Sequence, residues 1–170
     1  MTLTTFLAAA LATVALAAAG SFLLPRHVTV ERTALLDVAP ETVLSLASSS
    51  AGYQQFNPYL SADPDLRIDP FGPPAGVGAG FRFEGRDGTG TQTVAEITGT
   101  TVTYAIDLGA MGRPTQRITA LPEGDAARVT WTVESDMGMN PVFRVFGLFM
   151  DRMMGGTFEQ GLANLGQAAA

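Results

Sequence analysis

Between residues 66 and 134, apolar and polar side chains alternate in a series of short segments separated by turns, most of which contain glycine. This pattern constrains the fold more than any other feature. Successive side chains on a strand point to opposite faces, so each segment reads as a half-buried strand. Spacers this short cannot carry a parallel crossover, so neighbours pair antiparallel in a meander. The predicted strands are residues 66–68, the Phe81/Phe83 segment, 91–97, 101–108, 115–121 and 127–134. Their turns fall at Gly85-Arg86-Asp87-Gly88, Thr98-Gly99, 109–112 and 122–125. Upstream, Val28, Val30, Arg32, Ala34 and Leu36 alternate with Thr29, Glu31, Thr33 and Leu35, which predicts one further strand.

Helical periodicity flanks the meander. Ala39-Pro40-Glu41 opens a short amphipathic helix carrying Val43, Leu44, Leu46 and Ala47, with proline and an acid where a helix N-terminus favours them. Residues 52–59 form a second, aromatic-rich short helix or turn. A long helix is expected over residues 141–165, with Asn140 as N-cap and Pro141 at the first position. Gly155-Gly156 is its expected soft spot, costing about 1 kcal/mol per glycine relative to alanine. This order predicts an α+β domain, a bent antiparallel sheet around a long C-terminal helix.

Residues 1–24 carry no charged side chain, and residues 3–24 are almost wholly Ala, Leu, Val and Phe. About 20 such residues in a helix span a bilayer core, so a transmembrane anchor (residues 1–24) ahead of the folded domain (residues 25–170) is expected. The alternative is a signal cut near Ala17-Ala18-Ala19, but the basic start of a secretory signal is missing. Arg26 and Arg32 follow the run and no arginine precedes it, a bias toward a cytoplasmic domain.

Composition removes several chemistries. The chain of 170 residues has no cysteine and no lysine, its ten basic residues all being arginine. Thiolate sites, disulfides and Schiff bases are therefore excluded. His27 is the one histidine, which leaves multi-histidine metal sites and Ser-His-Asp schemes without their parts, so no metal and no cofactor are expected. Net charge is −6 and the arginines are scattered, so nucleic acid is not an expected partner.

Several stretches resemble the SRPBCC superfamily, which includes START-type lipid-transfer domains, birch-pollen-allergen-like proteins and polyketide cyclases. RHVTVE at 26–31 leads to APETV at 39–43, similar to the family's opening strand and helix. FNPY at 56–59 with Asp63-Pro64 is similar to its WSPW…DP segment, with Phe56 and Tyr59 where the family often has tryptophans. GVGA at 76–79, RVTW at 128–131, Asn140-Pro141, FGLFMDRMM at 146–154 and FEQGLANL at 158–165 complete a likeness over residues 24–165. The resemblance implies a helix-grip fold with an internal cavity. The stretches from 128 onward resemble the branch of polyketide cyclases and dehydratases, often found behind an N-terminal membrane segment.

Alternation also nominates cavity-facing residues. Phe81 and Phe83 share a face; so do Gln92, Val94 and Glu96; so do Val102, Tyr104, Ile106 and Leu108; so do Gln116 and Ile118; so do Val129, Trp131 and Val133. On the C-terminal helix, Phe143, Gly147, Met150, Met154, Phe158 and Leu165 fall on one arc, next to a second apolar arc of Val142, Phe146, Phe149 and Met153. The candidate ligand-binding set is Phe56, Tyr59, Phe81, Phe83, Gln92, Val94, Tyr104, Gln116, Trp131, Phe143, Met150 and Met154. Glu96 is the candidate acid or base if buried unpaired, with Tyr104 and Asp107 as further candidates; pairing of Glu96 with Arg117 or Arg128 would make it structural. Binding or carriage of a hydrophobic small molecule (lipid-, quinone- or polyketide-like) at a membrane is the leading expectation. A cyclase or dehydratase and a protein-interaction module are the alternatives.

Overall fold

The computed structural model describes residues 3–170; Met1 and Thr2, and the side chains at 17–19 on which signal cleavage would turn, lie outside the described residues. The chain opens with helix α1 (Leu3–Ser21), followed by strand β1 (His27–Leu36) and the short helices α2 (Pro40–Ala47), α3 (Ser50–Phe56) and α4 (Tyr59–Ala62). Strands β2 (Arg67–Phe71), β3 (Gly80–Gly85), β4 (Gly88–Ile97), β5 (Thr101–Asp107), β6 (Thr115–Glu123) and β7 (Ala126–Asp136) follow. Helices α5 (Pro141–Gly147) and α6 (Met150–Ala169) close the chain.

The strands make one seven-stranded sheet in the order β1-β7-β6-β5-β4-β3-β2. Every pairing is antiparallel, from Val30↔Val133 at one side to Pro70↔Phe81 at the other. Pro70 lies on β2, an edge strand, where a residue without an N–H is tolerated. The predicted α+β class and antiparallel meander with a C-terminal helix are present. The helices start as their caps dictate: Ser49 Oγ accepts from Gly52 N at 2.8 Å, and Asn140 Oδ1 accepts from Val142 N at 2.9 Å.

The C-terminal helical stretch differs from its expected form. It is not one helix over 141–165 but two, broken at Leu148–Phe149. Gly147 approaches β1 and the segment after β7 so closely that a Cβ there would meet Val28 at 2.8 Å and Met137 at 3.2 Å. At Gly155-Gly156, by contrast, α6 runs on without interruption. Gly155 is a docking slot: Arg32 of β1 lies across the helix there and holds Asp151 at 2.7 Å and Glu159 at 2.9 Å, one turn to either side. Gly161 similarly lets the helix settle on the Trp131 ring, which an added Cβ would meet at 2.5 Å.

The expected membrane anchor over residues 3–24 is found as a 19-residue helix, but among the described residues no helix is long and apolar enough to cross a membrane. The segment after α1 is tied to the domain by Arg144 of α5, which donates to the carbonyls of Phe22 (3.0 Å), Leu24 (3.2 Å) and Gly138 (3.0 Å).

Candidate functional site

An aromatic block fills the centre of the domain. Trp131 of β7 stacks on Phe158 of α6, their ring centres 5.4 Å apart and planes 8° from parallel. Tyr53 of α3 packs against Phe56 (4.8 Å), Phe81 (5.4 Å), Tyr104 (5.6 Å) and Trp131 (6.1 Å). Beside this block a cavity of about 230 Å³ opens between the sheet, helices α3 and α4, and α6. Its walls are largely apolar: Ile68, Phe81, Phe83, Ile106, Leu108, Val133, Met154 and Phe158. Asp63, Asp87, Tyr59 and Met111 also line it, and Tyr59 and Met111 remain 39% and 56% exposed, which marks this side as the mouth. Opposite the exposed rim sit three buried polar side chains, Tyr53, Gln92 and Gln116.

Six of the residues expected to contact a ligand line this cavity: Tyr59, Phe81, Phe83, Gln92, Gln116 and Met154. The other six do not, and they serve the core. Phe56 and Trp131 are fully buried in the aromatic block, and Met150, the first residue of α6, is buried in the core. Phe143 packs half-buried against the core. Val94 and Tyr104 lie deeper along their strands, where α2 covers the sheet, and the Tyr104 hydroxyl donates to the Ala47 carbonyl at 2.6 Å. The face that carries Tyr104 is thus divided along its length, with its far residues Ile106 and Leu108 forming cavity wall.

Glu96 does not face the cavity. The β4–β5 register passes from Val94↔Tyr104 to Glu96↔Thr103, so Ala95 is an extra residue. This β-bulge shifts the alternation by one and turns Glu96, an exposed residue, away from the Gln92/Val94 face. Asp107 is also engaged elsewhere: it accepts from Arg113 at 3.0 Å and from Gly109 N at 2.8 Å, and these contacts hold its carboxyl below the usual range. Arg117 and Arg128, the partners envisaged for Glu96, pair instead with Glu134 and Glu123.

Tyr53 and Asn57 complete the wall without having been anticipated, because they sit on a short helix where strand alternation says nothing. Phe158 had its signal in the helical arc it shares with Met154, one turn away. Within the polar end, Gln116 Nε2 donates to the Tyr53 hydroxyl at 3.2 Å. Burial pushes the Tyr53 phenol well above its ordinary value, with the two glutamine amides opposing that shift, so it is a neutral donor at physiological pH. Asp63 is held at the rim, its Oδ2 accepting from Arg86 N at 2.7 Å. Among the described residues no cluster of histidine and carboxylate side chains could hold a metal ion.

The fold recurs in solved structures. Norcoclaurine synthase from Thalictrum flavum superposes with a TM-score of 0.65 at 11% identity, over 83% of this chain and 92% of that one. A protein from Thermus thermophilus gives 0.62 at 18% identity, covering 83% of this chain and 96% of the other. The di-domain ARO/CYC StfQ from the steffimycin biosynthetic pathway gives 0.62 at 11% identity, covering 84% of this chain and 50% of that one. No curated protein matches the chain in sequence. The family described as "Polyketide cyclase / dehydrase and lipid transport" matches residues 27–170, from the first residue of β1 to the end, and the chain belongs to that family.

Proposed function

We propose that this protein binds and carries a small hydrophobic molecule in the cavity between the sheet, α3, α4 and α6. The observation that carries this reading is the cavity itself: about 230 Å³, walled by aliphatic and aromatic side chains with a few polar groups at one end. The family's description allows both carriage and cyclase or dehydrase chemistry. Norcoclaurine synthase and StfQ stand for the enzymatic alternative. Carriage is favoured because the acid–base candidates point elsewhere: Glu96 is exposed, Asp107 is paired with Arg113, and the Tyr104 hydroxyl is spent on Ala47. A pure protein-interaction module is disfavoured by the open interior.

Titration with the neutral fluorophore N-phenyl-1-naphthylamine tests the reading. Saturable binding is expected, with a change in emission from Trp131, the chain's one tryptophan, which stacks on the wall residue Phe158. Ile106→Phe, which narrows the cavity, should weaken binding. A signal that never saturates, or one indifferent to Ile106→Phe, would sink the proposal.

Association with a membrane through residues 3–24 is part of the proposal. Its support is the uncharged α1, with Leu7, Leu11 and Leu16 all more than half exposed, and its contact with α5, where Val142, Val145 and Phe146 also face outward. Flotation with phosphatidylcholine–phosphatidylglycerol vesicles should retain the full chain and lose the Leu7→Arg/Leu11→Arg/Leu16→Arg variant. Equal behaviour of the two would remove the membrane from the reading.

A further inference from the structure

The polar end of the cavity has more hydrogen-bond donors than the protein uses. Tyr53, Gln92 and Gln116 retain only 3%, 5% and 4% of their surface, so an unused donor there is costly. The Tyr53 hydroxyl accepts from Gln116, yet among the described residues no protein acceptor receives its own hydrogen. Gln92 lines the cavity beside it, but its Nε2 has no exposed surface and, among the described residues, no hydrogen-bond partner. A separate void of about 10 Å³ borders both Tyr53 and Gln92, beside the Ser50 hydroxyl, which also has no partner among the described residues. The main cavity is the larger space, and the one in which a ligand can bring an acceptor to the Tyr53 hydrogen.

We infer that this inner end receives a neutral hydrogen-bond acceptor, a carbonyl-type oxygen, carried on the leading edge of an otherwise apolar ligand. The inference rests on the proposed cavity binding and names the class of ligand. The acceptor is neutral because, among the described residues, no arginine lines the cavity, while Asp63 and Asp87 line its rim and repel an anion on entry. The ligand is small: about 230 Å³ falls below the roughly 300–1,000 Å³ of sites that enclose drug-sized molecules, which points to at most two or three rings or a short chain. Phe81, Phe83, Ile106 and Phe158 would hold its apolar body while the Tyr53 O–H donates to its oxygen.

A matched pair of ligands tests this. Tetralin and 1-tetralone share one bicyclic carbon skeleton and differ by a carbonyl, and each is scored by displacement of N-phenyl-1-naphthylamine from the full chain. The wild type should bind 1-tetralone more tightly, although the carbonyl makes it the more water-soluble of the two. Tyr53→Phe should weaken 1-tetralone about 3- to 10-fold, the worth of one hydrogen bond, and leave tetralin within about twofold. Tyr53→Phe is nearly isosteric, and the wild-type comparison needs no variant, so a misfolded mutant cannot shelter the idea. Tighter binding of tetralin by the wild type, or equal losses for both ligands, overturns the carbonyl site and leaves the cavity reading standing. Failure of both ligands to displace the probe overturns the cavity reading as well.

Discussion

Two adjacent glycines in α6 should respond in opposite directions to the same substitution. Gly156 faces open space, with nothing within 4 Å of an added Cβ. Gly156→Ala therefore collects the helix-propensity gain alone, about 1 kcal/mol. For a chain of this size that corresponds to roughly 2–4 °C in Tm. Gly155→Ala collects the same gain but places its Cβ inside the space occupied by the Arg32 guanidinium. Arg32 is held there by Asp151 and Glu159, on the turns before and after Gly155, so it cannot step aside without leaving both carboxylates. Overpacking of this kind costs roughly 1–3 kcal/mol, which equals or exceeds the gain. The expected net effect of Gly155→Ala is thus between neutral and about 2 kcal/mol destabilising, before the loss of the ion pairs is counted. Urea unfolding followed by circular dichroism measures both variants. In an Arg32→Ala background the conflict disappears, and Gly155→Ala should become stabilising. If Gly155→Ala stabilises the wild type as much as Gly156→Ala does, the slot is not a slot and the argument fails.

The polar end of the cavity makes a stability prediction of its own. Gln92→Leu removes a buried amide whose Nε2 has no partner among the described residues, so the free energy of unfolding should rise by about 1 kcal/mol; a clear loss of stability would show the amide to be satisfied. Burial holds the Tyr53 and Tyr104 phenols above their ordinary value of 10.0, so their contribution is intact below pH 10 and is lost as pH rises beyond it. Urea midpoints should therefore fall above pH 10, and Tyr53→Phe should soften that fall. Asp136 behaves in the opposite sense: hydrogen bonds from Arg26 and then from Gly138 N hold its carboxyl below 3.8, so its contribution is present above pH 3.8 and lost as pH drops through the lowered range. Asp136→Asn should flatten the acid limb of the stability profile, and an unchanged limb would refute the assignment.

Much of this fold was legible because it rests on local periodicity. The alternation in residues 27–36 placed Val30 and Leu36 on the core face, where they are buried, and Asn140-Pro141 announced the start of α5. What failed were features set by tertiary contact. The helix break at Leu148 follows Gly147, which meets Val28 closely, while the apolar periodicity runs on through it. Glu96 was misplaced by a single extra residue, because a bulge reverses every face beyond it while leaving the alternation intact. The site residues divided in the same manner. Phe81, Phe83, Gln92 and Gln116, whose strands alternate cleanly, line the cavity. Tyr104 and Trp131 share the concave face but lie under α2 and α6, and only the packing of those helices separates core from cavity.

That separation has its own physical cause. Over Val102, Tyr104 and Ile118 the sheet is covered by α2, which contributes the buried side chains Val43 and Ala47. Over the outer parts of β3, β4 and β5 the cover is α4, a single turn of four residues with no buried side chain. The strands there carry glycine where a side chain would otherwise intrude. A Cβ at Gly90 would strike the Phe83 ring at 2.6 Å and approach Leu108 at 3.1 Å, and one at Gly85 would strike Asp63 at 2.6 Å and Leu66 at 2.7 Å. These glycines let Phe83, Leu108 and Leu66 lie close against the backbone as lining. Sparse cover and flattened walls leave apolar surface unfilled in a domain that packs tightly elsewhere, and that forfeited burial costs stability. The unused Tyr53 donor adds to the cost at the inner end of the same cavity. Both costs fall in one cavity, and a ligand with an apolar body and a single acceptor oxygen would recover both at once.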